Sequence, residues 1–183
     1  MRHTFFKTAA IAFCAAALST SCMKQKLEIT YSSQEASIDS YVTSLLSSTE
    51  GASVSYHGGS TRVTLVEGEG EGLLPDGTLS FYYAGYIFKN SLSRDNLFST
   101  NNADIAAESN WNIDESGFEL LTVNLRESGF TEGLRRGLEG VKAGEECQIL
   151  FSGKYGFGKR PFGIIPANSA LLYRIRVVSV SNE

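Results

Sequence analysis

The chain has 183 residues and a formal net charge of −4, and 42% of it is hydrophobic. That length holds one domain or a small domain with a tail, and the composition excludes general disorder. The acidic balance gives no footprint for a nucleic-acid partner, and two His with three Cys leave little for soft metal sites or nucleophile–base pairs.

Met1 to Cys22 opens with Arg2 and Lys7 and continues as an apolar run from Thr8 to Leu18. A charged start before a short apolar stretch is the plan of a secretory signal, and the run is too short to span a bilayer. Leu18-Ser19-Thr20-Ser21-Cys22 resembles a bacterial lipobox, with its leucine one place further from the cysteine than usual. The resemblance implies a signal peptide over residues 1–21 and lipidation of Cys22. It also implies a lipid-anchored membrane protein of the cell envelope, expected at the outer membrane facing periplasm or exterior. An ordinary cleaved signal with an incidental Cys22 is the alternative. Processing removes His3 and Cys14, so any Cys/His zinc site or Ser-His-Asp triad needs His57. His57 sits in Tyr56-His57-Gly58-Gly59, which reads as an exposed turn between strands. Cys147 sits in a strand pattern, Cys147 to Phe151, and reads as a buried small hydrophobe.

Ser32-Ser33-Gln34-Glu35 offers a capping box with Ser32 as N-cap. Ile38, Tyr41, Val42, Leu45 and Leu46 follow one helical face, predicting a helix from about Ser33 to Ser47 after a tether from Cys22 to Thr30. Its apolar stripe packs on the main domain or pairs two copies. All 18 glycines lie at or beyond Gly51, where the period shifts toward two. Strands are predicted at Arg62–Val66, Leu79–Ala84, Leu120–Leu125, Cys147–Phe151 and Leu171–Val180. Between the first two, Glu67 to Gly77 reads as a solvated connector and turn. One short helix fits between Thr131 and Glu139, with Leu134 and Leu138 on one face and Gly140 beyond its end. These elements make an α+β domain with an antiparallel sheet.

Gly153 to Lys159 matches G-x-x-x-x-G-K, but Arg160 stands where a magnesium-binding hydroxyl belongs, and Pro161 follows it. No long helix starts there, so no nucleotide partner is expected. Read together, Phe130-Thr131-Glu132-Gly133-Leu134-Arg135-Arg136-Gly137-Leu138-Glu139-Gly140-Val141-Lys142-Ala143-Gly144-Glu145 resembles the helix signature of FKBP-type peptidyl-prolyl isomerases. Tyr155-Gly156 and Gly163-Ile164-Ile165-Pro166-Ala167-Asn168-Ser169-Ala170-Leu171 follow in the order the family has them. Tyr82-Tyr83-Ala84-Gly85-Tyr86 stands where the family has its Tyr-(Thr/Ala)-Gly strand end. The resemblance covers roughly Arg62 to Val180.

The resemblance implies an FKBP-like antiparallel sheet curled around one short helix, with an N-terminal helical extension. The chain then divides into the signal at 1–21, a tether and helix at 22–52, and an FKBP-like domain at 53–183 with an insertion at about 100–119. The implied activity is peptidyl-prolyl cis-trans isomerisation assisting exported proteins to fold. Proline-containing polypeptides are the partners, with no cofactor, metal or nucleic acid. The pocket residues it implies are Tyr83, Phe98, Phe130, Thr131, Leu134, Tyr155, Ile165 and Tyr173. Among them, the Thr131 backbone N–H and the Tyr155 hydroxyl reach substrate carbonyls. Taken singly, Tyr83, Phe98, Phe130, Ile165 and Tyr173 also read as ordinary core.

Four departures from the family pattern stand out. Leu134 replaces the pocket-floor Trp, and Ser99 replaces the aspartate after the phenylalanine. Leu121 or Val123 stands where a further aromatic is common, and Thr100 to Glu119, with the only Trp (Trp111), exceeds the usual connection. A second reading therefore keeps the fold without turnover: an FKBP-like lipoprotein that holds unfolded chains or a partner through the same groove.

Overall fold

The computed structural model describes residues 4–109 and 117–183, with residues 4–22 given by backbone alone. The expected signal peptide and lipidation at Cys22 fall on side chains outside the described residues, as does Trp111. Helix α1 runs Thr4–Ser48. The segment expected as a tether is therefore helical over 23–30, and Ser32 is interior to the helix rather than its cap. Lys24, Gln25, Lys26, Leu27 and Glu28 are good helix formers with no Gly or Pro among them, so nothing interrupts the winding. Gly51, at φ 78°, follows the end of the helix.

The chain divides into two compact units, Met1–Ser33 and Gln34–Glu183. In the first, the helix carries the Thr30 hydroxyl donating to the Lys26 carbonyl at 3.0 Å. The second opens with the last turns of α1 and continues through β1 (Ser53–His57), β2 (Ser60–Val66), β3 (Thr78–Ile87) and β4 (Leu97–Thr100). Helix α2 (Ala103–Glu108), β5 (Leu121–Asn124), α3 (Glu132–Leu138), β6 (Glu146–Phe151) and β7 (Leu171–Ser181) complete it. Among the described residues, seven strands form one antiparallel sheet in the order β1-β2-β6-β7-β3-β4, with β5 also paired to β3. This is the α+β architecture expected from the sequence.

Alternation along the strands gives the sheet two apolar faces. Leu79, Phe81, Ile149, Phe151, Tyr173 and Ile175 share one cluster with Leu134 and Leu138 of α3. Val63, Ala84, Tyr86, Leu150 and Leu172 share the other with Ile38 and Val42 of α1. Ile38 and Val42 are each 3% exposed. Burial of each stabilises the fold by roughly 1.5–3 kcal/mol, so the stripe at helical spacing is packing surface on the sheet. The Tyr41 ring meets Phe88 edge-on at 5.4 Å, and its hydroxyl donates to Gln148 Oε1 at 2.9 Å.

Gly58 and Gly59, at φ 55° and 98°, form the β1–β2 turn, with His57 as the last residue of β1 rather than part of the turn. Two consecutive left-handed residues match the twist of a tight hairpin. The segment from Glu67 to Gly77 is more than a solvated connector. Leu73 is buried, exchanges hydrogen bonds with Gly140 and Val141 at 2.8 Å, and anchors the loop beyond α3. Arg62, also buried, donates to the Gly137 and Glu139 carbonyls at 3.0 and 2.8 Å and lies 3.5 Å from Glu145. A cation on the last carbonyls of α3 satisfies the acceptors that the helix end leaves free.

Candidate active site

The α3 face of the sheet opens into a cleft of about 520 Å³. Strand β3 aims Phe81 and Tyr83 into it, two residues apart and so on one face. The next position on that face is Gly85. A β-carbon there would overlap the Phe98 ring and crowd Tyr173, so the glycine makes room for both aromatics. Phe98 and Tyr173 meet edge-to-face at 5.7 Å and 86°, and Tyr173 stacks on Phe151 at 6.0 Å. Phe130, just before α3, meets Phe81 edge-to-face at 6.1 Å. Such edge contacts fix ring orientation as well as burying area.

Among the described residues, polar groups lining the cleft are few. The Tyr83 hydroxyl lies 2.8 Å from Ser99 Oγ, so a hydroxyl pair occupies the place where the resemblance has a tyrosine and an aspartate. Asn101, itself buried, accepts from the Tyr83 N–H at 2.7 Å and donates to the Phe81 and Glu119 carbonyls. It thereby pins β3 to both ends of the long connection. Within that connection, α2 is capped by Asn102, whose side chain accepts from the Ile105 N–H at 3.1 Å. Burial raises the Tyr173 phenol above its ordinary value, and nearby Tyr83 adds to the effect, so Tyr173 stays neutral.

The structure brings Tyr83, Phe98, Phe130, Leu134, Ile165 and Tyr173 together around the cleft. Leu134 and Ile165 are 5% and 2% exposed. Thr131 and Tyr155 are not among the lining residues. Thr131 is the N-cap of α3, but its side chain makes no capping bond, and its hydroxyl is buried without a partner among the described residues. The Tyr155 ring lies against Gly59, where a β-carbon would overlap it, with the Arg136 guanidinium and the Lys154 ammonium each 5.5 Å from its centre. Of the two candidates on β5, Leu121 lines the cleft and Val123 does not.

Four further aromatic or aliphatic side chains, beyond those the sequence predicts, line the cleft. Phe81 was legible from its i, i+2 spacing to Tyr83. Phe157, Phe162 and Ile164 lie in the turns between β6 and β7, where no periodicity marks a side chain's direction. Phe157 and Phe162 stack at 4.5 Å with their planes 4° apart, and Phe162 and Ile164 are 62% and 67% exposed, forming an apolar rim. The G-x-x-x-x-G-K stretch lies in these turns and opens no helix. His57 bonds Ser55 at 2.9 Å, and burial followed by the Arg62 charge lowers its pKa. Cys147 is buried beside Glu145, and its thiol is pushed well above the ordinary range, mainly by burial. Neither lines the cleft.

Residues 78–178 match a family model described as FKBP-type peptidyl-prolyl cis-trans isomerase. Among solved structures, FkpA from Escherichia coli is similar at 20% identity and a TM-score of 0.55, covering 99% of this chain and 74% of that one. A peptidyl-prolyl cis-trans isomerase from Pseudomonas syringae pv. tomato is 15% identical with a TM-score of 0.58, over 85% of this chain and 96% of that one. The three FKBP domains of wheat FKBP73 match at 20% identity and a TM-score of 0.54, over 70% of this chain and 50% of that one.

Proposed function

The chain belongs to the FKBP-type peptidyl-prolyl cis-trans isomerase family, and from that premise we propose that it isomerises X-Pro bonds of exported polypeptides in the cell envelope, anchored there by lipid on Cys22. The observation that carries the catalytic part is the convergence of Tyr83, Phe98, Phe130, Leu134, Ile165 and Tyr173 on one open, apolar cleft.

The chemistry asks for shape and dryness rather than for a nucleophile. Rotation about an X-Pro bond crosses a barrier of about 20 kcal/mol, because the planar amide loses its resonance on the way. The twisted amide is less polar than the planar one, so an apolar aromatic cleft that excludes water favours it over the ground state. Phe98 and Tyr173 set the walls for a proline ring, Leu134 forms the floor, and Ile165 flanks the ring. Tyr83, held by Ser99, places a hydroxyl in the cleft for a substrate carbonyl. Leu134 in place of an aromatic floor keeps the apolar character and gives up ring stacking.

A second reading, binding without turnover, is favoured by Tyr155. Its ring packs on the β1–β2 turn rather than lining the cleft, which separates its hydroxyl from the place where the resemblance uses it. A protease-coupled assay on a proline tetrapeptide decides between the two. Acceleration at micromolar protein is expected, and none from a chain folded by circular dichroism would leave the binding reading.

The anchor rests on the sequence alone: the charged start, the apolar run and the cysteine after it. Metabolic labelling with a palmitate analogue should mark the wild-type protein and not Cys22→Ala. Equal labelling of both would refute lipidation at Cys22.

A further inference from the structure

Strands β6 and β7 pair as far as Phe151 and Leu171 and then part. The chain between them, from Gly153 to Asn168, carries Phe157, Phe162 and Ile165 to the cleft. A side chain from outside the matched 78–178 region closes the base of this loop. Gln34 of α1 accepts from the Gly153 N–H through Oε1 at 2.9 Å and donates from Nε2 to the Asn168 carbonyl at 2.7 Å. An amide that accepts on one side and donates on the other does what a peptide group would do in one more rung of the ladder. Beside it, the Ser152 hydroxyl donates to Glu35 Oε1 at 3.1 Å.

The two backbones meet closely at this point. A β-carbon on Gly153 would overlap the Asn168 backbone, and Asn168 adopts φ 59° while donating its N–H to the Gly158 carbonyl at 2.6 Å. Gln34 thus fixes the separation at which the loop leaves the sheet. We infer that Gln34 is a positioning residue for the cleft: through it, α1 holds the loop presenting Phe157, Phe162 and Ile165 and sets the isomerisation rate without touching substrate. The inference rests on the proposed isomerase reading. A loop held at its base is pre-organised, and a shift of about 1 Å in a positioning element costs up to about a hundredfold in rate.

The test uses the full chain with Gln34→Met, which keeps side-chain length and removes the amide. Tyr41→Phe serves as control, because it removes a bond between the same helix and the sheet at Gln148, away from the loop. In Gln34→Met, amide exchange over residues 153–168 should quicken roughly tenfold, as expected for two lost hydrogen bonds. Exchange in β6 and β7 should stay unchanged. The kcat/KM on a proline tetrapeptide should fall roughly three- to tenfold, whereas Tyr41→Phe should leave both readings within about twofold. Unchanged exchange, unchanged kcat/KM, or equal effects in the two variants would overturn the inference. An inactive wild type would overturn the isomerase reading instead, and the affinity for the same peptide would then replace kcat/KM as the readout.

Discussion

The Ser99 hydroxyl stands 2.8 Å from that of Tyr83, where a carboxylate would have held the phenol more strongly. A neutral pair keeps the orientation and gives up the charge-assisted part of the bond. Thr131 shows the opposite case, a polar atom with nothing to do. Its hydroxyl is buried without a partner among the described residues and makes no capping bond. Thr131→Val should therefore leave stability unchanged or raise it by up to about 1 kcal/mol in urea unfolding, since an unsatisfied buried hydroxyl is itself a cost. A loss of more than about 1 kcal/mol would show that the hydroxyl is bonded. At this scale the sequence read best where a motif fixes both residue and neighbour. Tyr83, Phe98, Phe130, Leu134, Ile165 and Tyr173 share the cleft, whereas Tyr155 turns away because Gly59, far off in sequence, leaves space beside it.

At the scale of elements, α3 depends on two glycines that helix propensity would reject. β-carbons on Gly133 and Gly137 would overlap Phe151 and Ile149 of β6, so the bare face lets the helix lie directly on the sheet. Alanine is the better helix former by about 1 kcal/mol, and overpacking typically costs about 1–3 kcal/mol. Gly133→Ala is therefore expected to destabilise by about 1–2 kcal/mol in equilibrium unfolding, and stabilisation would mean that Phe151 moves aside freely. Leu134 and Leu138 marked this helix in the sequence, and alternation marked β2, β3, β5, β6 and β7. Two short strands were not predicted. β1 is an edge strand with mostly part-exposed residues, and β4 has four residues, too few to show a period. The helical stretch over 23–30 leaves no signal in the sequence, because its exposed charges and polar residues carry no apolar stripe.

Taken whole, the Gln34–Glu183 unit is a sheet with different work on its two faces. One face is closed by the last turns of α1, and the other holds α3 and the aromatic cleft. The long connection from Thr100 to Glu119 returns through Asn101, which ties its ends to β3. His57 ends an edge strand, Cys147 is buried, and neither lines the cleft. In the proposed mechanism, X-Pro rotation happens among Tyr83, Phe98 and Tyr173. The most direct measurement is kcat/KM for a proline tetrapeptide in the wild type, Phe98→Ala and Cys147→Ser, with folding checked by circular dichroism. A loss of roughly tenfold or more is expected for Phe98→Ala, from an opened wall and a wetter cleft, and less than about threefold for Cys147→Ser. Equal losses in the two folded variants would contradict it.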